Sequence, residues 1–95
     1  MLHTLMQSPW QCDTDTLLRM LSTGDDLLLL QDGVLGALTD SNMLEKLLAA
    51  PATLWVLQED VEARGLSAQI SSKVRLVDYT DFVDLTAKHQ QQMAW

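Results

Sequence analysis

Few side chains in this sequence have chemical capacity. Cys12 is the only cysteine. It lies between the first apolar run and a helix start, where a thiolate gains from the positive end of the helix dipole. Asp13 and Asp15 oppose that gain, because nearby negative charge disfavours a thiolate. Both an auxiliary reactive thiol and an inert one stay open. His3 sits beside Leu2 and Leu5, where a packed, hydrogen-bonded imidazole is the simpler reading. His89 falls in the last turn of a helical pattern, where a cation meets the negative end of the dipole. Asp32, Glu59, Asp60 and Asp78 each follow a short apolar run. Such oxygens suit hard divalent cations. No lysine follows the third or fourth run, and neither GxGxxG nor a P-loop pattern occurs. These acids therefore read as solvated loop carboxylates, with an independent acidic-rim metal- or ligand-binding protein as the alternative. No serine stands in a nucleophile elbow, and no Cys/His zinc spacing exists.

These residues are placed by a regular alternation of short strands and helices. Leu2 to Met6 reads as a strand stopped by Ser8-Pro9. Thr14 to Ser22 reads as a helix, capped by Asp13 or Thr14, with Leu17, Leu18 and Leu21 on one face and Gly24 at C′. Leu27 to Leu30 is too uniformly apolar for a half-exposed strand and reads as one covered on both faces. Gly33 to Leu38 reads as a short helix. Asp40 or Ser41 starts the next one, with Met43, Leu44, Leu47 and Leu48 as its stripe and Pro51 beyond its end. Leu54 to Leu57 is a third strand. Glu59 to Arg64 is a short helix closed by Gly65, with Asp60 and Arg64 at ion-pair spacing. Val74 to Val77 is a fourth strand, Thr80 caps a last helix, and Met93 to Trp95 can add a short edge strand. The pattern predicts an α/β fold: one small domain over residues 1–95, with a mainly parallel four- to five-stranded sheet and helices on both faces. In such a sheet, ligands sit beyond the carboxyl ends of the strands. Those ends hold the four acids named above.

The 95 residues are 47% apolar and carry a net charge of −7. That charge, without a basic cluster, argues against direct nucleic-acid binding. One cysteine allows no internal disulfide, and the start MLHTLMQSPW lacks the basic region of a signal peptide. No run is long enough to span a membrane. The expected location is the cytoplasm, and no cofactor pattern is present. A small chain this rich in aliphatic residues can leave apolar surface for a partner. Trp10 and Trp95, near polar ends, are candidate partner-interface residues. The competing reading buries each ring on the chain's own core.

HTLMQSPW, LLLLQDGV, EDVEARGL, VDYTDFVDLTAKH and QMAW, in this order over essentially all 95 residues, closely resemble the TusB family, also called DsrH. The resemblance implies a DsrEFH-like fold and a role in a cytosolic sulfur relay. There a cysteine persulfide is passed between proteins towards 2-thiolation of the wobble uridine of certain transfer RNAs. It implies assembly with TusC-like and TusD-like subunits in a heterohexamer, two copies of each, and indirect exchange with TusA and TusE. A carrier thiolate must attack one sulfur and then be attacked in turn. In the TusD-like sister, that cysteine lies at a strand end, before a short helix closing in Arg-Gly. Counted back from Arg64-Gly65, the matching position here is Leu57. Relatives of the DsrH type that have a cysteine place it in the first helix, where this chain reads TLLRML; Cys12 lies earlier. The resemblance therefore implies a non-catalytic subunit, with Asp32-Gly33 as a scaffold turn shared with the sister subunits. Absence of the DsrH-type cysteine favours transfer-RNA thiolation over the sulfur oxidation served by related DsrEFH complexes. An auxiliary persulfide role for Cys12 remains the alternative.

Overall fold

The computed structural model describes residues 1–95. Five strands, β1 Leu2–Leu5, β2 Asp26–Leu29, β3 Thr53–Leu57, β4 Arg75–Val77 and β5 Gln92–Ala94, form one sheet in the order β4-β3-β2-β1-β5. Every neighbouring pair is parallel. The helices are α1 Thr14–Met20, α2 Asn42–Ala49, α3 Gln58–Ala63 and α4 Tyr79–Lys88, with 3₁₀ segments at Pro9–Gln11 and Gln31–Ala37.

The topology decides which face each helix covers. The chain steps one way from β1 through β2 and β3 to β4, so right-handed crossovers place α1, α2 and α3 on one face. It then returns from β4 past three strands to β5, which puts α4 on the other. Packing follows this division. A cluster of 14 buried residues joins Leu5, Leu27, Leu29 and Val56 to Leu17 of α1, Leu44 and Leu47 of α2 and Val61 of α3. A cluster of only six lies opposite, joining Leu2, Leu28, Leu30, Leu57 and Val77 to Leu85 of α4. The four-leucine run alternates between them, Leu27 and Leu29 one way, Leu28 and Leu30 the other. All four are buried because both faces are covered there.

Helix starts follow the local chemistry. The carboxylate of Asp13 accepts the amide of Thr16, and Ser41 accepts that of Met43. The start of α4 differs from the sequence reading: Asp78, not Thr80, is its cap, accepting the Asp81 amide at 2.8 Å. Helix α1 ends at Met20, with Leu21 extended at its cap, so Gly24 (φ 92) lies in the following turn instead of at C′. Gly65 (φ 65) does hold the C′ position of α3. The amides of Gly65 and Leu66 reach back to the carbonyls of Glu62 and Val61, the double closure of a Schellman motif. Gln31–Ala37 is a 3₁₀ segment in place of the short helix expected from Gly33 to Leu38.

Candidate functional site

The carboxyl ends of β2, β3 and β4 form the rim on which the sequence places its candidate chemistry. Leu57, the position that the resemblance expects to match a carrier cysteine, is closed. Leu57 is 1% exposed and packs with Leu2, Leu28, Leu30, Val77 and Leu85 beneath α4. It is the last residue of β3 and the N-cap of α3, making no side-chain capping bond. An alkyl group there cannot accept or donate sulfur. The neighbouring Gln58 is exposed and spends its amide on Glu62 at 2.9 Å.

The four rim acids do not converge on a common point, and no three metal-ligating side chains come together. Each is engaged in the fold. Asp60 accepts the backbone amide of Gln31 at 2.6 Å, across 29 residues. Asp32 receives the guanidinium of Arg64 at 3.1 Å. This replaces the expected Asp60–Arg64 pair: Arg64 bonds the Asp60 carbonyl instead and turns its charge to the next loop. Glu59 accepts the Tyr79 amide at 3.1 Å through Oε2, while its buried Oε1 has no partner, and Asp78 caps α4. These carboxylates fasten the turn after β2 to α3, and α3 to the start of α4. Their partners are backbone amides and a guanidinium, donors a metal would have to displace.

The Asp32-Gly33 turn has a packing cause. A Cβ on Gly33 would lie 2.0 Å from the carbonyl oxygen of Leu5. Only glycine lets the 3₁₀ segment pass that close to β1. Just before it, Gln31 adopts φ 51, a left-handed conformation that costs a non-glycine residue about 1 kcal/mol. The bond that the Gln31 amide donates to Asp60 helps to hold that turn.

Cys12 is partly buried against the larger core cluster. Burial, and then the charge of Asp13, push its thiol above the ordinary value. That is the reverse of what activates a nucleophilic cysteine. Trp10 is 62% exposed on the segment after β1. Trp95 packs partly on the larger core cluster, and its indole N–H donates to Nδ1 of His3 at 3.1 Å.

The composition of the opposite, amino-terminal edge of the sheet was not legible in advance. Two adjacent acids, Asp25 and Asp26, point to opposite faces there. Asp25 accepts the terminal ammonium of Met1 at 2.8 Å and faces Nε2 of His3 at 3.1 Å. Because Trp95 donates to Nδ1, the His3 proton sits on Nε2 and is given to Asp25. That fixes the tautomer of a fully buried imidazole. Asp26, 2% exposed, takes Nε2 of His89 at 2.7 Å, the indole N–H of Trp55 at 2.8 Å and the Lys88 ammonium at 3.0 Å. Burial alone would raise both carboxyls. For Asp25 the bonds from the terminal ammonium, His3 and the Ser22 amide outweigh it; for Asp26 those from His89, Trp55 and Lys88 do. Both are held below the ordinary range. His89 is thus more than a helix-end cation: it ties the end of α4 to the central strand. The only advance signal was an Asp-Asp pair opening an apolar strand.

The solution NMR structure of protein Tm0979 from Thermotoga maritima aligns with a TM-score of 0.67 at 27% identity, covering 96% of this chain and 97% of that one. The crystal structure of the ychN protein from E. coli aligns with a TM-score of 0.76 at 16% identity, over 99% and 97%, a likeness of fold. Protein TusB of Erwinia tasmaniensis is 60% identical over 95 residues, all of both chains. Protein TusB of Cronobacter sakazakii and of Klebsiella pneumoniae are each 57% identical over the same full length. The family model described as DsrH like protein matches residues 7–92. With that match and those full-length relatives, the chain belongs to the DsrH-like family.

Proposed function

We propose that this chain is a non-catalytic subunit of a TusBCD-type sulfur-relay complex, supporting persulfide transfer for 2-thiolation of the transfer-RNA wobble uridine. All 95 residues act as one TusB/DsrH-like unit in the cytoplasm, assembled with TusC-like and TusD-like subunits, two copies of each. Exchange with TusA and TusE is indirect, and the role calls for no cofactor. Full-length likeness to proteins named TusB supports the relay role. No helix is long and apolar enough to cross a membrane, which is compatible with it.

The observation that carries the non-catalytic part is the sealed Leu57. The strand end that would present a carrier thiol presents core instead. Cys12, partly buried with its thiol pushed up, gives the auxiliary-carrier alternative little support. The rim acids, each engaged in the fold, give a metal site little support. In this reading the chain completes the assembly and shapes the surface beside another subunit's active cysteine. Trp10 and Trp95 are proposed contact residues, Trp10 through its exposed ring and Trp95 at the β5 edge of the sheet. Co-expression with TusC-like and TusD-like chains, followed by size measurement, tests the reading. A heterohexamer is expected; a chain that stays apart from both would overturn it.

A further inference from the structure

The two faces of the sheet are unequally covered. Three helices and a 3₁₀ segment close one face over a cluster of 14 residues, while α4 alone closes the other over six. Five strands at the usual spacing span roughly 20 Å, and one helix is about 10 Å across. A strip of the second face is therefore left beside α4. It is an open groove of about 450 Å³, floored by Trp55, Leu76 and Val77, with Asp81, Asp84, Leu85 and Lys88 on its helical wall. Its apolar floor reaches solvent at Leu76, which is 52% exposed. An open apolar groove on an incompletely covered sheet face is the mark of an interaction surface.

We infer that this groove between α4 and the β3–β4 edge is where a neighbouring relay subunit of different sequence docks, laying apolar side chains on Leu76 and Trp55 and a lysine or arginine against Asp81 and Asp84. The inference rests on the subunit role proposed above and names the surface that role would use. Charge selects the occupant. The third ionic group of the α4 wall, Lys88, is spent on Asp26, leaving Asp81 and Asp84 as its free charges. Arg75 stands at the far edge, over the ring of Trp55 at 5.5 Å. A second copy meeting this face symmetrically would set α4 carboxylates against each other, on a chain already at −7. Like charges so placed disfavour the contact, whereas a cationic partner relieves them.

The test compares assembly of the parent chain and its variants with the TusC-like and TusD-like subunits. Leu76→Asp alters an exposed side chain of the groove, and circular dichroism checks that it folds. It should weaken association roughly 30-fold, as loss of a central contact does. Asp84→Lys should weaken it and flatten its salt dependence. Met20→Glu, exposed on the three-helix side, should leave it unchanged. If the parent assembles and Leu76→Asp and Asp84→Lys assemble equally well, the surface assignment is wrong and the subunit role stands. A parent that binds neither subunit overturns both. A parent that pairs with itself, with Leu76→Asp restoring the monomer, overturns the choice of occupant.

Discussion

Replacing Asp26 with alanine should cost this fold a large part of its stability. Asp26 is 2% exposed and accepts bonds from His89, Trp55 and Lys88. The Lys88 side chain is largely exposed and can return to water. The His89 side chain is buried, and the Trp55 indole is half-buried against the smaller core cluster. A buried donor left without a partner costs about 1–3 kcal/mol. Two such donors, less the relief of no longer desolvating a carboxylate, give a loss of about 3 kcal/mol. A chain of this length has roughly 5–15 kcal/mol in total, so urea denaturation should show the midpoint falling clearly. The acid limb should change as well. The carboxyls of Asp25 and Asp26 are held below their ordinary range. The folded state therefore binds fewer protons than the unfolded chain as pH falls towards about 4. Their contribution is present above that pH and is lost as pH drops through the folded values. Asp26→Asn should flatten this limb by removing one of the two carboxyls. A loss under about 1 kcal/mol in the alanine variant, or an acid limb unchanged in the asparagine variant, would refute the reasoning.

Two other substitutions probe the rim. Gly33→Ala would set a Cβ 2.0 Å from the Leu5 carbonyl oxygen; backbone cannot swing aside as a side chain can, so thermal unfolding should show a loss of about 3 kcal/mol or more, or no folded protein. Leu57→Cys should cost about 1–3 kcal/mol in urea denaturation. The introduced thiol, placed among the apolar side chains that now surround Leu57, should react with an alkylating reagent far more slowly than an unfolded cysteine, because burial raises a thiol pKa.

Much of the architecture was legible because local chemistry and packing agree. Four consecutive leucines suit a strand covered on both faces; β2 takes Leu27 to Leu29, and Leu30, also buried, caps the 3₁₀ segment that follows. Asp13 and Ser41 cap helices that their sequence neighbourhood announces. The errors came where two local readings compete or where the partner is remote. Asp78 and Thr80 are both capping residues, and sequence cannot tell which one leaves the strand in the right geometry. Arg64 has an acid four residues back, but the folded chain brings Asp32 from 32 residues away and that pair forms instead. The bonds of Asp26 span 29, 62 and 63 residues, so no spacing rule could have found them. The closure of the rim at Leu57 depends equally on α4, which returns from the far edge of the sheet.

As proposed above, this chain serves a sulfur relay without carrying sulfur itself. The most direct measurement is the intact mass of each subunit in the assembled complex after reaction with a persulfide donor. An added sulfur atom should appear on a partner chain and none on this one, and Cys12→Ser should leave thiolation unchanged. A stable sulfur adduct on Cys12, with thiolation lost in Cys12→Ser, would contradict the account.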